Sequence, residues 1–244
     1  MPLPSYQIQL ESNEAITPNV RKLRFKFIEP SSFTYRPGQF VSFLLEHDEK
    51  PLKRSYSIAN LEMPNSEGLV TTDYLEIVIS YVEHGRATRI FFDAKEDDTF
   101  EISGPVGLLI LGSEIPERVF LIGTGTGMAP YRSMLKQLPE LPQHQFNILF
   151  GAQKAQDLFY TDDFSTAQEH QNINFYPCLS REEQEGAFKG YVQAKLEDLK
   201  PNPETDLVYL CGNPNMVDDV FSMLKDLDFG VKQVKREKYV FSKF

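Results

Sequence analysis

Apolar and polar positions alternate in short runs over roughly the first hundred residues. The runs are YQIQLES, VRKLRFKFI, FVSFLLEH, SYSIAN, YLEIVISYV and TFEISGPV. β-Branched and aromatic residues at period two, broken by Pro, Gly and acidic turns, predict half-buried strands. Strands at this spacing predict a closed antiparallel β-barrel of the Greek-key type. RATRIFFDA breaks the alternation with near-helical spacing and predicts one short helix beneath the barrel. After Gly112 the rhythm changes. VFLIGTGTG, FNILFGAQ, INFYPCLS and LVYLCGN are apolar runs that end in small residues and lead into helix-like stretches, which predicts an α/β domain on a parallel sheet. The boundary is placed near Leu111 to Glu114, giving a barrel domain over 1–112 and an α/β domain over 113–244. In such sheets ligands bind beyond the carboxyl ends of the strands, where the Gly, Ser and Cys residues fall here.

Composition narrows the function classes. A chain of 244 residues suits two domains that each bury a core. No apolar run reaches the roughly 18 residues of a membrane span, so no membrane association is expected. The start, MPLPSYQIQLESNEAI, has neither a basic n-region nor an apolar h-region, from which a cytoplasmic location is expected. Cys178 and Cys211 are the only cysteines, too few for a zinc or iron-sulfur ligand set, so no metal is expected and any iron-sulfur partner is a separate protein. A net charge of -10 argues against nucleic-acid binding. Residues 1–112 carry 11 basic and 16 acidic side chains and 113–244 carry 14 and 19, so docking an acidic partner needs a local patch. The basic run Arg21, Lys22, Arg24, Lys26, with Arg36, Lys53 and Arg86, is the candidate on the barrel, the alternative being that some of those charges only solvate strands. A monomer is expected.

Two stretches carry candidate chemistry. Gly123, Thr124, Gly125, Thr126 and Gly127 follow an apolar strand and precede the helix candidate MAPYRSMLKQL. Glycines admit a pyrophosphate close to the backbone, and the helix start offers N–H groups and partial positive charge. The spacing is GxGxG, not the GxGxxG fingerprint, and a ligand-free strand-to-helix turn is the plainer alternative. Arg54, Ser55, Tyr56 and Ser57 offer a bidentate phosphate ligand, a flat ring with a hydroxyl, and a hydroxyl for a heterocycle edge. These suit a flavin nucleotide, the plainer alternative being an ordinary exposed strand.

The stretches RSYSIAN, PGQFV, GRAT, GPVG, GTGTGMAP, CLSRE and CGNPNMV occur in an order and at separations similar to those of the ferredoxin-NADP reductase family. The resemblance runs from about Tyr35 to the C-terminus. It implies an FAD-binding barrel followed by an NAD(P)-binding α/β domain, with FAD and NADP(H) as cofactors. By resemblance, Arg54 binds the FAD pyrophosphate, Tyr56 packs on the isoalloxazine, and Ser57 lies beside N5. Gly85, Arg86, Ala87 and Thr88 supply a second phosphate contact, with a plain helix N-cap as the alternative for Thr88. The turn Gly123 to Gly127 holds the NADP pyrophosphate, and Cys211 and Gly212 lie near the nicotinamide.

Ser180 and Arg181 stand where a 2′-phosphate would be read and favour NADP over NAD, although Glu182, Glu183 and Glu185 follow. Gln153 occupies a place where the family often has Arg, for which Lys154 or Lys189 would compensate. Tyr239 is expected over the exposed flavin face and Phe241 on the adenine, the alternative being that these rings cover a hydrophobic edge. Ser57, Cys211 and Tyr239 are the expected catalytic residues. The implied activity is hydride transfer between NADP(H) and FAD, with single electrons passing to or from a separate ferredoxin or flavodoxin. An oxygenase or free-flavin reductase component and a non-enzymatic redox or nucleotide sensor are the alternatives.

Overall fold

The computed structural model describes residues 3–47 and 50–239. The chain divides into two compact units. One joins Met1–Ile110 with Ala129–Met134, and the other joins Leu111–Met128 with Leu135–Phe244.

The first unit is built on strands β1 (Ser5–Thr17), β2 (Val20–Glu29), β3 (Phe33–Tyr35), β4 (Phe40–His47), β5 (Lys50–Ser57), β6 (Val70–Thr72), β7 (Tyr74–Ser80) and β8 (Thr99–Val106). Helix α1 (Arg86–Asp93) precedes β8. Six strands form one antiparallel sheet in the order β5-β4-β8-β1-β2-β7, and β3 pairs with β6 apart from it. The last strand, β8, lies between β1 and β4, which makes the order a Greek key. Register shifts along β1 at Gln7/Ile8, Leu10/Ser12 and Ala15/Thr17 bend the long β1–β2 pair into a curve.

Closure comes from the residues just after β5. The Ala59 N–H donates to the Glu76 carbonyl at 2.8 Å, the Glu76 N–H donates to Asn60 Oδ1 at 2.7 Å, and Asn60 Nδ2 donates to the Tyr74 carbonyl at 2.9 Å. A fully buried Asn60 thus replaces regular ladder bonds between the end of β5 and β7. The core is aromatic. Phe43 meets Phe25, Phe91 and Phe100 with ring centroids 5.0–6.0 Å apart, mostly edge to face, and such pairs each add about 0.5–1.5 kcal/mol beyond burial. Phe91 belongs to α1 and is what seats that helix on the barrel.

Three cations of the candidate docking patch on β2 have partners within the barrel. Lys22 pairs with Glu14 at 2.9 Å and Arg24 with Glu11 at 3.2 Å, while Arg24 also lies 3.6 Å above the Tyr74 ring centre. Arg21 donates to Asn13 and covers Phe92. Glu14 and Glu11 of β1 thus neutralise Lys22 and Arg24 of β2. Replacing Lys22 and Arg24 together with Gln is expected to change kcat/KM for an acidic protein acceptor less than about twofold, since exposed pairs contribute little. A steep loss in an acceptor titration at low salt would reinstate the patch.

The second unit carries β9 (Arg118–Thr124), β10 (Gln145–Ala152), β11 (Ile173–Leu179), β12 (Phe188–Lys189), β13 (Asp206–Gly212) and β14 (Val234–Lys238), all parallel, in the order β12-β11-β10-β9-β13-β14. Helices α3 (Thr161–Ala167), α4 (Val192–Asp198) and α5 (Pro214–Asp226) connect them. Both faces of the sheet are covered, so β13 is buried along its whole length. At its amino end, Asp206 accepts from Arg118 Nε at 3.0 Å and Nη2 at 2.6 Å, from Thr205 Oγ1 at 2.9 Å and from the Asn202 N–H at 2.7 Å.

The stretch expected as a helix over MAPYRSMLKQL is broken into pieces. A 3-10 turn covers Gly125–Met128, the helix α2 spans only Ala129–Met134, and a second 3-10 turn covers Leu135–Gln137. Ser133 supplies a cause, because its hydroxyl donates back to the Pro130 carbonyl at 2.8 Å and so competes with regular helical bonding.

Candidate functional site

In the barrel, the alternation of β5 leaves Leu52, Arg54 and Tyr56 half-buried on one side and Lys53 and Ser55 exposed on the other. Ser55 is paired with Ser42 across the ladder, Oγ to Oγ 2.9 Å. Arg54 and Tyr56 thus share a face, and the Tyr56 ring meets Phe91 of α1 edge to face at 5.3 Å and Phe43 at 5.7 Å. Burial pushes the Tyr56 phenol well above its ordinary range, so it stays a neutral donor. Ser57 ends the strand and is 5% exposed.

Through Phe91, Tyr56 is tied to the helix whose start holds Gly85, Arg86, Ala87 and Thr88. No side chain caps that start. The Thr88 hydroxyl donates to the Val82 and Gly85 carbonyls at 3.1 and 2.9 Å, fixing the turn. Arg54 and Tyr56 thus share one face of β5, and Tyr56 packs on α1 through Phe91.

In the α/β unit the chain runs outward from β9 through β10, β11 and β12, then returns to the other side of β9 as β13. The switch point lies between β9 and β13, and in such sheets ligands bind outside the carboxyl ends of the strands at that point. Gly123 and Cys211 are direct register partners there. The turn Gly123 to Gly127 folds over this point with two unlike glycines. Gly125 has φ +52° and a Cβ on it would meet no atom within 4 Å, whereas a Cβ on Gly127 would stand 2.3 Å from the Cys211 carbonyl oxygen. One glycine leaves an open cradle and the other permits close packing on β13.

Thr124 Oγ1 accepts from the Asn213 N–H at 3.1 Å and ties the turn to the loop after β13. Cys211 is fully buried. Burial pushes its thiol up, the Glu237 carboxylate adds to the shift, and a hydrogen bond with Tyr239 opposes it. Tyr239 donates its hydroxyl to the Thr126 carbonyl and its N–H to the Gly212 carbonyl, both at 3.0 Å. Its ring thus packs against the glycine turn and the end of β13. Phe241 lies outside the described residues.

Ser180 and Arg181 follow β11, with their N–H groups donating to the Ala152 and Gln153 carbonyls at 3.0 and 2.9 Å. The nearby acids are engaged. Glu182 accepts from the Ala155 N–H at 2.7 Å, and Glu183 pairs with Lys189 at 2.8 Å. Of the two lysines that would stand in for an arginine at Gln153, Lys189 is therefore taken up by Glu183, while Lys154 is exposed.

Residues 7–110 match the oxidoreductase FAD-binding domain family, and residues 121–221 match the oxidoreductase NAD-binding domain family. The ferredoxin-NADP reductase of Azotobacter vinelandii is 31% identical over 229 residues, which cover 85% of this chain and 84% of the relative. The chain belongs to the ferredoxin-NADP reductase family.

The reductase is thus an oxidoreductase with FAD-binding and NAD(P)-binding domains. It is also 27% identical to the reductase component of propane 2-monooxygenase from Gordonia sp. (strain TY-5), spanning 98% of this chain and 68% of that protein. A ferredoxin NADP+ reductase from Neisseria gonorrhoeae, solved with bound FAD and NADP, shares the fold at a TM-score of 0.83 and 22% identity, over 96% of this chain and 98% of that one. Among the described residues no helix is long and apolar enough to cross a membrane.

The geometry accommodates both groups. The open side of Gly125 fits a pyrophosphate, and the α1 start, which no side chain caps, fits a second. Three residues of the reductase escaped the sequence reading. Asn60 closes the barrel, Arg132 of α2 reaches the same strand end, and Tyr191 presents an exposed ring after Gly190, whose N–H donates to the Leu179 carbonyl at 2.9 Å.

Proposed function

We propose that the reductase moves a hydride between NADP(H) and FAD and passes single electrons to or from a separate ferredoxin or flavodoxin. The observation that carries this reading is the switch point of the parallel sheet, where the open cradle at Gly125 stands next to the buried Cys211–Gly212 strand end. FAD, when bound, supplies the conversion between paired and single electrons. The chain's own task is orientation, because hydride transfer needs aligned rings more than an acid or base.

Arg54 and the backbone N–H groups at the start of α1 bind the FAD pyrophosphate, with Thr88 holding the turn in shape. Tyr56 packs on the flavin ring system and Ser57 offers its hydroxyl at N5. The turn Gly123 to Gly127 binds the dinucleotide pyrophosphate, while Cys211 and Gly212 keep the nicotinamide end free of bulk. Tyr239 excludes water there until its bond to Thr126 is released. Ser180 and Arg181, joined by Lys154, bind the 2′-phosphate, a role supported by the engagement of Glu182 and Glu183 elsewhere.

Anaerobic bleaching of the flavin band with NADPH and then NADH at matched concentrations tests this directly. Faster bleaching by NADPH, with a KM for NADPH raised about tenfold in Arg181→Ala, is expected for loss of a charge-assisted contact. Faster bleaching by NADH would keep the reductase and remove the 2′-phosphate role. A bound flavin bleached by neither would defeat the hydride reading. A second reading, in which the electrons go to an oxygenase, is favoured by the similarity to the propane 2-monooxygenase reductase component along 98% of this chain. Acceptor titration separates the two.

Tyr191 is proposed as the adenine platform. Base stacking on an aromatic side chain contributes about 1–3 kcal/mol, so Tyr191→Ala should raise the dinucleotide KM at least about fivefold while kcat stays within about twofold. An unchanged KM would return Tyr191 to the surface.

A further inference from the structure

The barrel's flavin strand is held from beyond β5 by a side chain that none of the nucleotide motifs contains. Arg132 lies on α2, which groups with the barrel. Its Nη1 donates to Glu76 Oε1 at 2.6 Å and also to the carbonyl of Ala59. Both side chains are nearly buried, 12% exposed for Arg132 and 10% for Glu76. The helix itself is anchored, since Ser133 Oγ accepts the Gly38 N–H at 2.9 Å.

Ala59 is two residues past Ser57, where the β4 ladder has ended with the Phe40 to Ser57 pair. Beyond that point the backbone is fixed by the Ile58 N–H on the Gln39 carbonyl at 3.0 Å, by Asn60, by the Ala59 N–H on the Glu76 carbonyl and by the Arg132 guanidinium on the Ala59 carbonyl. A nearly buried carboxylate and a buried carbonyl thus converge on one cation. Water cannot substitute cheaply for that cation.

We infer that Arg132 is a positioning residue that sets where Ser57 meets the flavin, acting through Ala59 and Glu76 and touching no cofactor itself. The inference rests on the flavin reading of the barrel. It follows that removing Arg132 displaces Ser57 without removing any flavin ligand, and misplacement on the order of 1 Å can cost about a hundredfold in rate.

The test compares the FAD-loaded unsubstituted protein with Arg132→Lys and with the double variant Arg132→Met/Glu76→Met, which avoids an orphaned carboxylate. FAD affinity, the visible absorption and circular dichroism of the bound flavin, and single-turnover reduction by saturating NADPH are read well below the melting temperature. The double variant is expected to bind FAD within about threefold of the unsubstituted affinity, but with an altered flavin spectrum and reduction slowed at least about tenfold. Arg132→Lys, with one shorter donor for two acceptors, should fall between. Unsubstituted spectrum and rate in a folded double variant would make Arg132 merely structural and overturn the inference. If the double variant does not fold, Arg132→Lys decides, a slowed rate at unchanged Tm supporting the inference and an unsubstituted rate and spectrum overturning it. Failure of the unsubstituted chain to bind FAD would instead remove the flavin reading, and the inference with it.

Discussion

Gly127→Ala is expected to cost at least about a hundredfold in kcat/KM for the dinucleotide, because the atoms in its way cannot move aside. The new methyl would stand 2.3 Å from the Cys211 carbonyl oxygen, 2.6 Å from its carbon and 2.7 Å from the Gly212 Cα. All three are backbone atoms of a fully buried strand. Either the turn lifts away from β13 or the β9–β13 ladder distorts, and overpacking of this kind also costs about 1–3 kcal/mol of stability. Flavin binding by the barrel should be unaffected. Gly125→Ala makes a sharp control, since its φ of +52° costs a side chain only about 1–2 kcal/mol and the space beside it is open. That variant should fold with a modestly lower Tm and still bind dinucleotide weakly, because the methyl fills the cradle. Steady-state kinetics and thermal melts on the two variants check the pair, and a Gly127→Ala protein as active as the parent would refute the close packing.

Asp206→Ala is expected to be the most destabilising single change at the far end of the same strand. Its carboxylate is wholly buried and accepts four hydrogen bonds, two of them from Arg118, which also donates to the Leu199 and Lys200 carbonyls. Removing one partner of such a buried pair typically costs about 3–5 kcal/mol, because the cation is left without its counter-charge. For a unit of this size that lowers Tm by roughly 10 °C. The nucleotide turn sits at the opposite end of β13, so reduction rates measured in the cold should match the parent. A Tm change under about 2 °C would show that solvent replaces the carboxylate.

The difference between these ends of β13 shows what the sequence made readable. The apolar run LVYLCGN and the small residues that close it made the parallel strand legible and put Cys211 and Gly212 at its carboxyl end, because periodicity and strand-end chemistry are local. Likewise Arg54 and Tyr56, two apart on a strand, had to share a face. Long-range polar partnerships left no such mark. Asn60 reads as the last residue of a strand, yet its amide closes the barrel onto residues 74–76. Arg132 reads as one charge on a helix, although that helix groups with the barrel, 20 residues or more beyond its last strand. The partners of Lys22 and Arg24 on β2 were hidden for the same reason, since Glu14 and Glu11 lie across the ladder on β1. Helix α2 is short because a serine hydroxyl and a contact from Gly38 interrupt it, and neither has a periodicity.

The two thiols have a practical consequence. Cys178 and Cys211 are both 0% exposed, and burial pushes Cys178 up to about 12 and raises Cys211 as well, so neither presents a thiolate to alkylating reagents near neutral pH. A cysteine introduced at an exposed position such as Leu108, 84% exposed on the barrel, or Val231, 78% exposed on the α/β unit, becomes the one reactive sulfur in the folded chain. Fluorophores or spin labels can therefore be attached singly, without first removing the native cysteines and without disturbing the strand end that Cys211 occupies.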